Sequence, residues 1–328
     1  MDKVTICVDA MGGDNAPGVV LEGVEAALRA DEDLEVILVG PQDVVETFAD
    51  GHDRCTAAFA SEVIEMGEHP ANAVRSKKDS SIVVGCNLVK EGKGDGFFSA
   101  GSTGAVLAGG VLRIGRIKGV KRPALCTIIP SPVRPVVMAD VGANADCKPE
   151  YLVQFAHMAT IYAEKIIGID NPNVALLNIG SEEAKGSQFA QEAFALMKEQ
   201  VPNFVGNAEG NDIIPANYDV FITDGFTGNM VLKTIEGTAK TLFKSVKGVM
   251  MSSTPRKLAG LVLKGGLKEL ADSISSDTYG GAPLLGVKGA CIVGHGSSNA
   301  TAIKNGVLIT AKIARQKVPD LIAEAIAR

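Results

Sequence analysis

The sequence predicts an α/β protein with a mostly parallel, doubly wound sheet and a protruding amphipathic helical segment. Three observations support this fold class. Short apolar runs rich in Val and Ile end repeatedly in glycine-rich loops. The stretches after these loops carry helical apolar spacing, as with Val20, Val24, Ala27 and Leu28. The 328 residues are 46% hydrophobic, which is enough for a large core. Strand, glycine-rich loop, helix and strand in this order are typical of a parallel sheet covered by helices.

The same two patterns place the elements along the chain. Strands are short apolar runs, and helices are stretches with apolar residues three and four apart. Strands are predicted at 4–8, 34–39, 61–66, 93–98, 124–129, 135–139, 174–178, around 204 and at 220–223, and the last strand is predicted within 286–293. Helices are predicted at 17–30, 43–49, from 80 or 81 to 90, at 105–114, 149–167, 187–199, from near 230 and at 300–315.

Glycine-rich loops follow several of these strands and suit an anion. The clearest is Gly101-Ser102-Thr103-Gly104, between a strand and a helix. Backbone N–H groups at such a helix start can bind phosphate, although the same pattern also occurs in ordinary tight turns. Since ligands of doubly wound sheets bind outside the carboxyl ends of the strands, we expect these loops to converge on one edge.

Several other classes of site are not indicated. No loop fits a P-loop, a dinucleotide fingerprint or a nucleophilic serine elbow. No His/Cys cluster suggests zinc, and neither a metal nor a cofactor is predicted. The net charge of −6 and the absence of Trp argue against nucleic-acid binding.

Three loop residues are candidates for chemistry. Lys185 precedes a predicted helix, where a cation is electrostatically unfavourable. That mismatch favours a functional role over a surface lysine. Asn229 lies at an expected N-cap, so capping alone would also explain it. His295, between two glycines, is either a general base or a turn residue.

Two surface segments are also candidates. Residues 113–122 contain five cations, which indicates either a solvated loop or a landing site for an acidic partner. Residues 240–274 interleave lysines with leucine, valine and methionine, and Pro255 divides them into two helices. This segment is either a dimer or core helix pair, or a basic amphipathic element lying on an anionic membrane. Gly265-Gly266 weakens a continuous helix there.

The compartment is expected to be the cytoplasm. A strand starts almost at the first residue, without a signal peptide pattern, and no apolar run of about 18 residues could span a bilayer. The six cysteines form no C-x-x-C pair, and we expect them to be reduced and mostly structural.

Six motifs taken together resemble one family closely. They are VDAMGGD at 8–14, SAGSTGA at 99–105, DVGAN at 140–144, NIGSEEAKG at 178–186, DGFTGN at 224–229 and YGGAPLLG at 279–286. In this order they are similar to the motifs of the bacterial phosphate acyltransferases of phospholipid synthesis, the PlsX family. The resemblance covers the whole chain, so we expect a single α/β domain over 1–328 with the helical segment 240–274 inserted.

The resemblance implies a reaction and its partners. Acyl-(acyl carrier protein) and inorganic phosphate would give acyl phosphate and free carrier protein. It also implies a Rossmann-like fold, a homodimer and peripheral membrane association. The product would pass to a membrane glycerol-3-phosphate acyltransferase. The alternatives are a phosphotransacetylase-like enzyme that uses acyl-CoA and a non-catalytic, membrane-recruited scaffold. A dehydrogenase would need a nicotinamide site, which the sequence lacks.

With this resemblance the candidate residues take roles. Lys185 and Asn229 would stabilise the charge that develops on the thioester oxygen. The phosphate or acyl phosphate would lie against Asp9, Gly12, Gly13, Asn15, Gly101, Ser102, Thr103, Gly104, Asn144, Asp224, Thr227 and Gly228. The carrier protein would dock on Arg113, Arg116, Lys118, Lys121 and Arg122. The membrane would contact Lys257, Leu258, Leu261, Val262 and Lys264.

Overall fold

A single mixed sheet runs through the computed structural model, which describes residues 2–273 and 276–327. Within these residues eleven strands pair in the order β3-β2-β1-β4-β11-β10-β5-β6-β9-β7-β8. The strands are β1 Val4–Asp9, β2 Leu34–Gly40, β3 Cys55–Phe59, β4 Gly96–Ser99, β5 Ala124–Ile129, β6 Val136–Ala139, β7 Val174–Leu177, β8 Phe204–Ala208, β9 Val220–Ile222, β10 Ala282–Leu285 and β11 Ala290–Val293.

Helices cover both faces of the sheet. They are α1 Gly18–Ala30, α2 Gln42–Ala49, α3 Pro70–Ser76, α4 Ser81–Lys90, α5 Thr103–Gly109, α6 Pro149–Tyr162, α7 Gln188–Gln200, α8 Gly225–Met251, α9 Thr254–Ser273, α10 Ala300–Arg315 and α11 Val318–Ala327. Along β1, Ile6 and Val8 belong to one buried cluster and Cys7 to another. Because successive strand residues face opposite sides, the sheet is buried on both faces. The predicted doubly wound α/β class is confirmed.

The sheet consists of two parallel halves that run in opposite directions. Strands β3, β2, β1, β4 and β11 are mutually parallel, and so are β6, β9, β7 and β8. Between them, β10 and β5 pair antiparallel to each other and to their outer neighbours. The mostly parallel sheet is confirmed, but the expectation of one common edge for all carboxyl ends is wrong, because the direction of the strands reverses at the centre.

The register of the central strands nevertheless brings two sets of loops together. Ala282 pairs with Val293, and Leu284 pairs with Leu125. Cys126 in turn pairs with Ala139, the last residue of β6. Measured along the strand direction, the carboxyl ends of β11 and β6 are therefore offset by no more than about two residues, although the two strands point in opposite directions.

Some elements differ from the sequence prediction. Residues 61–66 form no strand and make only an isolated bridge between Glu62 and Ser80, whereas β3 at Cys55–Phe59 was not predicted. This strand lies at the edge of the sheet and is only partly buried, so its apolar pattern is weak. The last strand lies within the predicted range 286–293, at Ala290–Val293, and the unpredicted antiparallel β10 precedes it. A further helix, α11, follows the predicted last one.

The segment 240–274 forms most of a helical hairpin of α8 and α9, and its last residue, 274, lies outside the described residues. Pro255 stands in the first turn of α9, as the predicted division requires. Gly265-Gly266, which weaken a continuous helix by propensity, do not interrupt α9, since the helix continues through both glycines. Among the described residues no helix has the length and apolar character needed to cross a membrane.

Candidate active site

A cavity of about 510 Å³ lies where the two sets of loops meet. One wall comes from the loops after β1, β4 and β11, and the other from the loop after β6 and the first turns of α8. Between these walls lie three residues of β5, namely Leu125, Thr127 and Ile128. The remaining lining residues are Asp14, Met66, Gly101, Thr103, Val141, Gly142, Asn229, Leu232, Lys233, Glu236, Tyr279, Gly280, Gly281, Ala282, Val293, Gly294, His295, Gly296, Ser297, Ser298 and Ala302.

The first wall is held in place by a buried carboxylate, that of Asp9. Its side chain accepts hydrogen bonds from Ser99 Oγ at 2.7 Å and from the N–H of Met11 at 3.0 Å. Ser99 Oγ in turn accepts the N–H of Gly101 at 3.0 Å. Burial raises the pKa of Asp9, and hydrogen bonds from Ser81 and Ser99 oppose that rise. Asp9 therefore orients the loop at Gly101 from behind and does not line the cavity.

The loops after β1 and β11 are joined directly. The N–H of Asp14 donates to the carbonyl oxygen of Gly296 at 2.8 Å. His295 and Ser297 follow β11 and line the cavity. His295 Nδ1 lies 2.8 Å from Ser297 Oγ and accepts the N–H of Ser297 at 3.2 Å. These two contacts with Ser297 orient the imidazole ring of His295. They are compatible with both predicted roles, a turn residue and a general base.

The second wall is organised by Asp140, which is fully buried. Its Oδ1 accepts the N–H groups of Leu125, Gly142 and Ala143 at 3.0, 3.1 and 3.0 Å. Its Oδ2 accepts the backbone N–H and side-chain Nδ2 of Asn144, both at 2.8 Å. Burial raises the pKa of Asp140, and these hydrogen bonds oppose the rise. The carboxylate thus ties β5 to the loop that presents Val141 and Gly142 to the cavity.

Helix α8 begins five residues earlier than predicted. Asp224 is its N-cap and accepts the N–H of Thr227 at 2.9 Å, while Thr227 Oγ1 donates to Asp224 at 2.7 Å. The predicted N-cap role of Asn229 is therefore wrong. Asn229 instead lies in the second turn, where it lines the cavity. Its side chain has no hydrogen-bond partner within the part of the chain that the structure describes.

Lys185 lies in the loop after β7 and does not line the cavity. That loop is anchored by Asn178, whose Nδ2 donates to the carbonyl oxygen of Lys185 at 3.1 Å, and by Asn207, whose Nδ2 donates to that of Glu182 at 2.8 Å. Strands β6, β9 and β7 are parallel neighbours, so their carboxyl ends share one edge. The Lys185 loop thus lies on the same edge as Asn229, about two strand spacings, or ~10 Å, from β6.

The structure divides the other predicted contact residues into those that line the cavity and those that do not. Gly101 and Thr103 line the cavity with Asn229. Residues that do not line it are Asp9, Gly12, Gly13, Asn15, Ser102, Gly104, Asn144, Asp224, Thr227 and Gly228. Asn144 donates to Pro123 and Asp140, and Asp224 caps α8. These two side chains build the walls instead of facing the cavity.

Sequence reasoning missed two charged residues of α8 that line the cavity, Lys233 and Glu236. They form an ion pair with Nζ and Oε2 2.9 Å apart. Lys233 is four residues after Asn229 and therefore lies on the same face of α8. If the sequence analysis had placed the start of α8 at Gly225, the spacing of four residues from Asn229 would have indicated Lys233. Within the described part of the chain, no group of three or more His, Cys, Asp and Glu residues is arranged to hold a metal ion.

The family model and the curated relatives that match this chain point to the same family. Residues 4–321 match the family model described as "Fatty acid synthesis protein". The chain is 51% identical over 310 residues to a "Phosphate acyltransferase" of Desulfitobacterium hafniense, covering 93% of this chain and 92% of that protein. Proteins of the same name from Halothermothrix orenii and Staphylococcus aureus are 46% and 47% identical, each covering 98% of both chains.

Solved structures agree in fold. A phosphotransacetylase from Streptococcus pyogenes aligns with a TM-score of 0.60 at 18% identity, covering 95% of this chain and 94% of that one. A branched-chain phosphotransacylase from Enterococcus faecalis aligns with a TM-score of 0.59 at 13% identity, covering 95% and 99%. At such identities only the architecture is shared. The sequence relatives carry the assignment, and the chain belongs to the PlsX family of phosphate acyltransferases.

Proposed function

We propose that this enzyme transfers the acyl group of acyl-(acyl carrier protein) directly to inorganic phosphate. The observation that carries the proposal is the composition of the cavity. Its polar part offers Thr103, Ser297, Asn229 and Lys233, which suit a phosphate group. Its apolar part offers the side chains of Leu125, Ile128, Val141, Leu232 and Val293, which suit an acyl chain.

The proposed step is one displacement at the thioester carbonyl. A phosphate oxygen attacks the carbonyl carbon, the new C–O bond forms and the C–S bond breaks. The carrier thiolate leaves and takes up a proton. Because phosphate is already an anion near pH 7, the enzyme needs to position it more than to activate it. Negative charge grows on the carbonyl oxygen, and preorganised donors stabilise it.

We assign the stabilising donors to Asn229 and Lys185. The Asn229 amide lines the cavity and has no partner among the described residues, so its N–H donors are available. Lys185 is exposed on the adjoining loop, and no described residue bonds to its Nζ. A substrate that extends from the cavity along this edge would lie between the two side chains. The loop at Gly101 and Thr103 would hold the phosphate from the opposite wall.

One assay separates this function from its alternatives. We expect release of free thiol from acyl-(acyl carrier protein) that depends on added phosphate and yields acyl phosphate. Phosphate-dependent release from acyl-CoA, with none from the carrier substrate, would instead indicate a phosphotransacetylase-like enzyme. No release from either substrate would favour a non-catalytic scaffold. We expect the reaction to need no cofactor, so added cofactors should leave the rate unchanged.

The carrier protein is proposed to dock on the cationic segment after α5. Arg116, Lys118, Lys121 and Arg122 are exposed, as a dock requires. Arg113 is half-buried and donates to the carbonyl oxygen of Val74 at 2.7 Å, so it serves packing as well. An acidic carrier protein complements the other four cations.

Charge reversal tests this dock. The Lys118→Glu, Arg122→Glu variant should raise the KM for the carrier substrate about tenfold and weaken its dependence on salt. The matched control is Lys78→Glu, Lys90→Glu, which makes the same charge change at two other exposed lysines. Equal KM values for the two variants would remove the dock from this segment.

The hairpin of α8 and α9 is proposed to contact an anionic membrane peripherally. Leu258, Leu261 and Val262 are 62%, 68% and 85% exposed, and Lys257 and Lys264 lie beside them on α9. Apolar side chains next to lysines suit the boundary of an anionic bilayer. We also assign the homodimer contact to this hairpin, through the exposed Leu242 and Val249 of α8. A cytoplasmic enzyme held this way could deliver acyl phosphate to a membrane glycerol-3-phosphate acyltransferase.

The membrane role is tested by pelleting with anionic liposomes. Leu258→Glu, Leu261→Glu should lose most of its liposome binding, because two charges replace apolar side chains that are proposed to contact the bilayer. Lys78→Glu, Lys90→Glu lowers the net charge further without touching the hairpin and should pellet like the wild type. Sedimentation velocity of Leu242→Glu, Val249→Glu tests the dimer contact. A hairpin variant that pellets normally, or an intact dimer, would contradict the corresponding role.

A further inference from the structure

A single cationic side chain from Lys or Arg lines the cavity within the described residues, that of Lys233. The carboxylates of Asp14 and Glu236 line the same cavity. An incoming phosphate therefore meets two negative side chains and one positive one. Without Lys233, the carboxylates of Asp14 and Glu236 would repel the anion, and no Lys or Arg side chain of the described residues would attract it inside the cavity.

Lys233 is aligned with the proposed oxyanion donor. Asn229, Lys233 and Glu236 are spaced four and three residues apart on α8, so they form one stripe on the face toward the cavity. One helical turn separates Asn229 from Lys233, a rise of about 6 Å along the axis. In an acyl phosphate one bridging oxygen joins the carbonyl carbon to the phosphorus, so the carbonyl oxygen and the phosphoryl oxygens lie close enough for both side chains to serve one molecule.

Lys233 is held by a partner that an anion can replace. Its Nζ lies 2.9 Å from Glu236 Oε2, and the two side chains are 51% and 26% exposed. An ion pair this exposed is weak, because water screens it. Charge-assisted hydrogen bonds from an ammonium to a phosphate are stronger than ordinary ones. Phosphate can thus take the ammonium from Glu236, whose carboxylate is free to turn toward solvent.

We propose that Lys233 is the phosphate-binding cation of the cavity and that Glu236 competes with phosphate for it. This inference rests on the proposed function for its substrate and adds two residues to that site. In the empty enzyme, Glu236 keeps Lys233 paired and positioned. In the loaded enzyme, the phosphate oxygens occupy the place of the carboxylate. The two residues therefore act on phosphate affinity in opposite directions.

Isothermal titration calorimetry with inorganic phosphate alone tests the pair. Lys233→Ala should raise the Kd for phosphate about tenfold or more, because a charge-assisted hydrogen bond is lost. Lys233→Arg should restore much of the affinity. Glu236→Gln should lower the Kd a few-fold, since the competing charge is gone. The control is Lys240→Ala, an exposed lysine of α8 that does not line the cavity, and it should bind like the wild type.

The outcomes separate this inference from the reaction itself. Unchanged phosphate affinity in Lys233→Ala, or weaker binding in Glu236→Gln, would overturn the inference. So would absence of phosphate binding to the wild type. Kinetics give a second readout: Lys233→Ala should raise the KM for phosphate and leave the KM for the carrier substrate near its wild-type value. If phosphate binds in a Lys233-dependent way but no thiol is released, the proposed function fails and the binding site stands.

Discussion

Replacing Asn229 by alanine is expected to lower kcat by about 10²- to 10³-fold, the usual cost of removing one oxyanion donor. The side chain lines the cavity and bonds to no described residue, so its loss should leave the fold intact. Lys185→Ala should cause a loss of similar size, because its ammonium is assigned to the same developing charge. Phosphate-dependent thiol release measures both effects.

The control for Asn229 is Thr234→Ala, five residues further along α8. Thr234 Oγ1 donates only to the carbonyl oxygen of Met230 within the helix, at 2.8 Å, and does not line the cavity. This variant should turn over at nearly the wild-type rate. Near-normal turnover of Asn229→Ala would remove the amide from the mechanism, and the same result for Lys185→Ala would remove the ammonium.

Gly228→Ala should both destabilise the protein and impair catalysis. A Cβ at Gly228 would overlap the backbone carbonyl of Asp140, which cannot move freely because its side chain ties the loop to β5. Overpacking of this kind costs about 1–3 kcal/mol or more. The first turns of α8 would be pushed away from the loop after β6, and Asn229 would move with them. A lower urea midpoint and a lower kcat are therefore expected together.

Gly237→Ala is the matched control on the same helix. A Cβ at Gly237 meets no atom within 4 Å. Alanine is favoured over glycine inside a helix by about 0.5–1 kcal/mol, so this variant should be slightly more stable than the wild type. Equal urea midpoints for the two glycine variants would show that the contact between α8 and Asp140 does not constrain the site.

The local pattern of the sequence sufficed for the fold class. Strand, glycine-rich loop and helix are encoded by neighbouring residues, so β1, α1 and β2 were predicted nearly to their ends. The reversal of strand direction at β10 and β5 was not predictable in this way. It depends on pairing between Leu284 and Leu125, which are far apart in the chain. The site is composite because of that reversal, which lets loops from both halves meet.

The candidate site was predicted in part. Gly101, Thr103 and Asn229 line the cavity, and the motifs that contain them were recognised as loops. Polar residues of the same motifs turned out to hold the walls, since a buried Asp9 or Asp140 looks the same in sequence as an exposed ligand. Lys233 was missed because the start of α8 was placed too late, which put Asn229 at a cap instead of on the cavity face.

A crystal structure with a non-hydrolysable acyl phosphonate tests the central claim, that one cavity between the two sets of loops holds both the phosphoryl and the acyl group. The phosphonate should contact Asn229 and Lys233 on one wall and the loop at Gly101 and Thr103 on the other. The alkyl chain should lie against Leu125 and its apolar neighbours. A phosphonate bound outside this cavity, with neither wall in contact, would contradict the account.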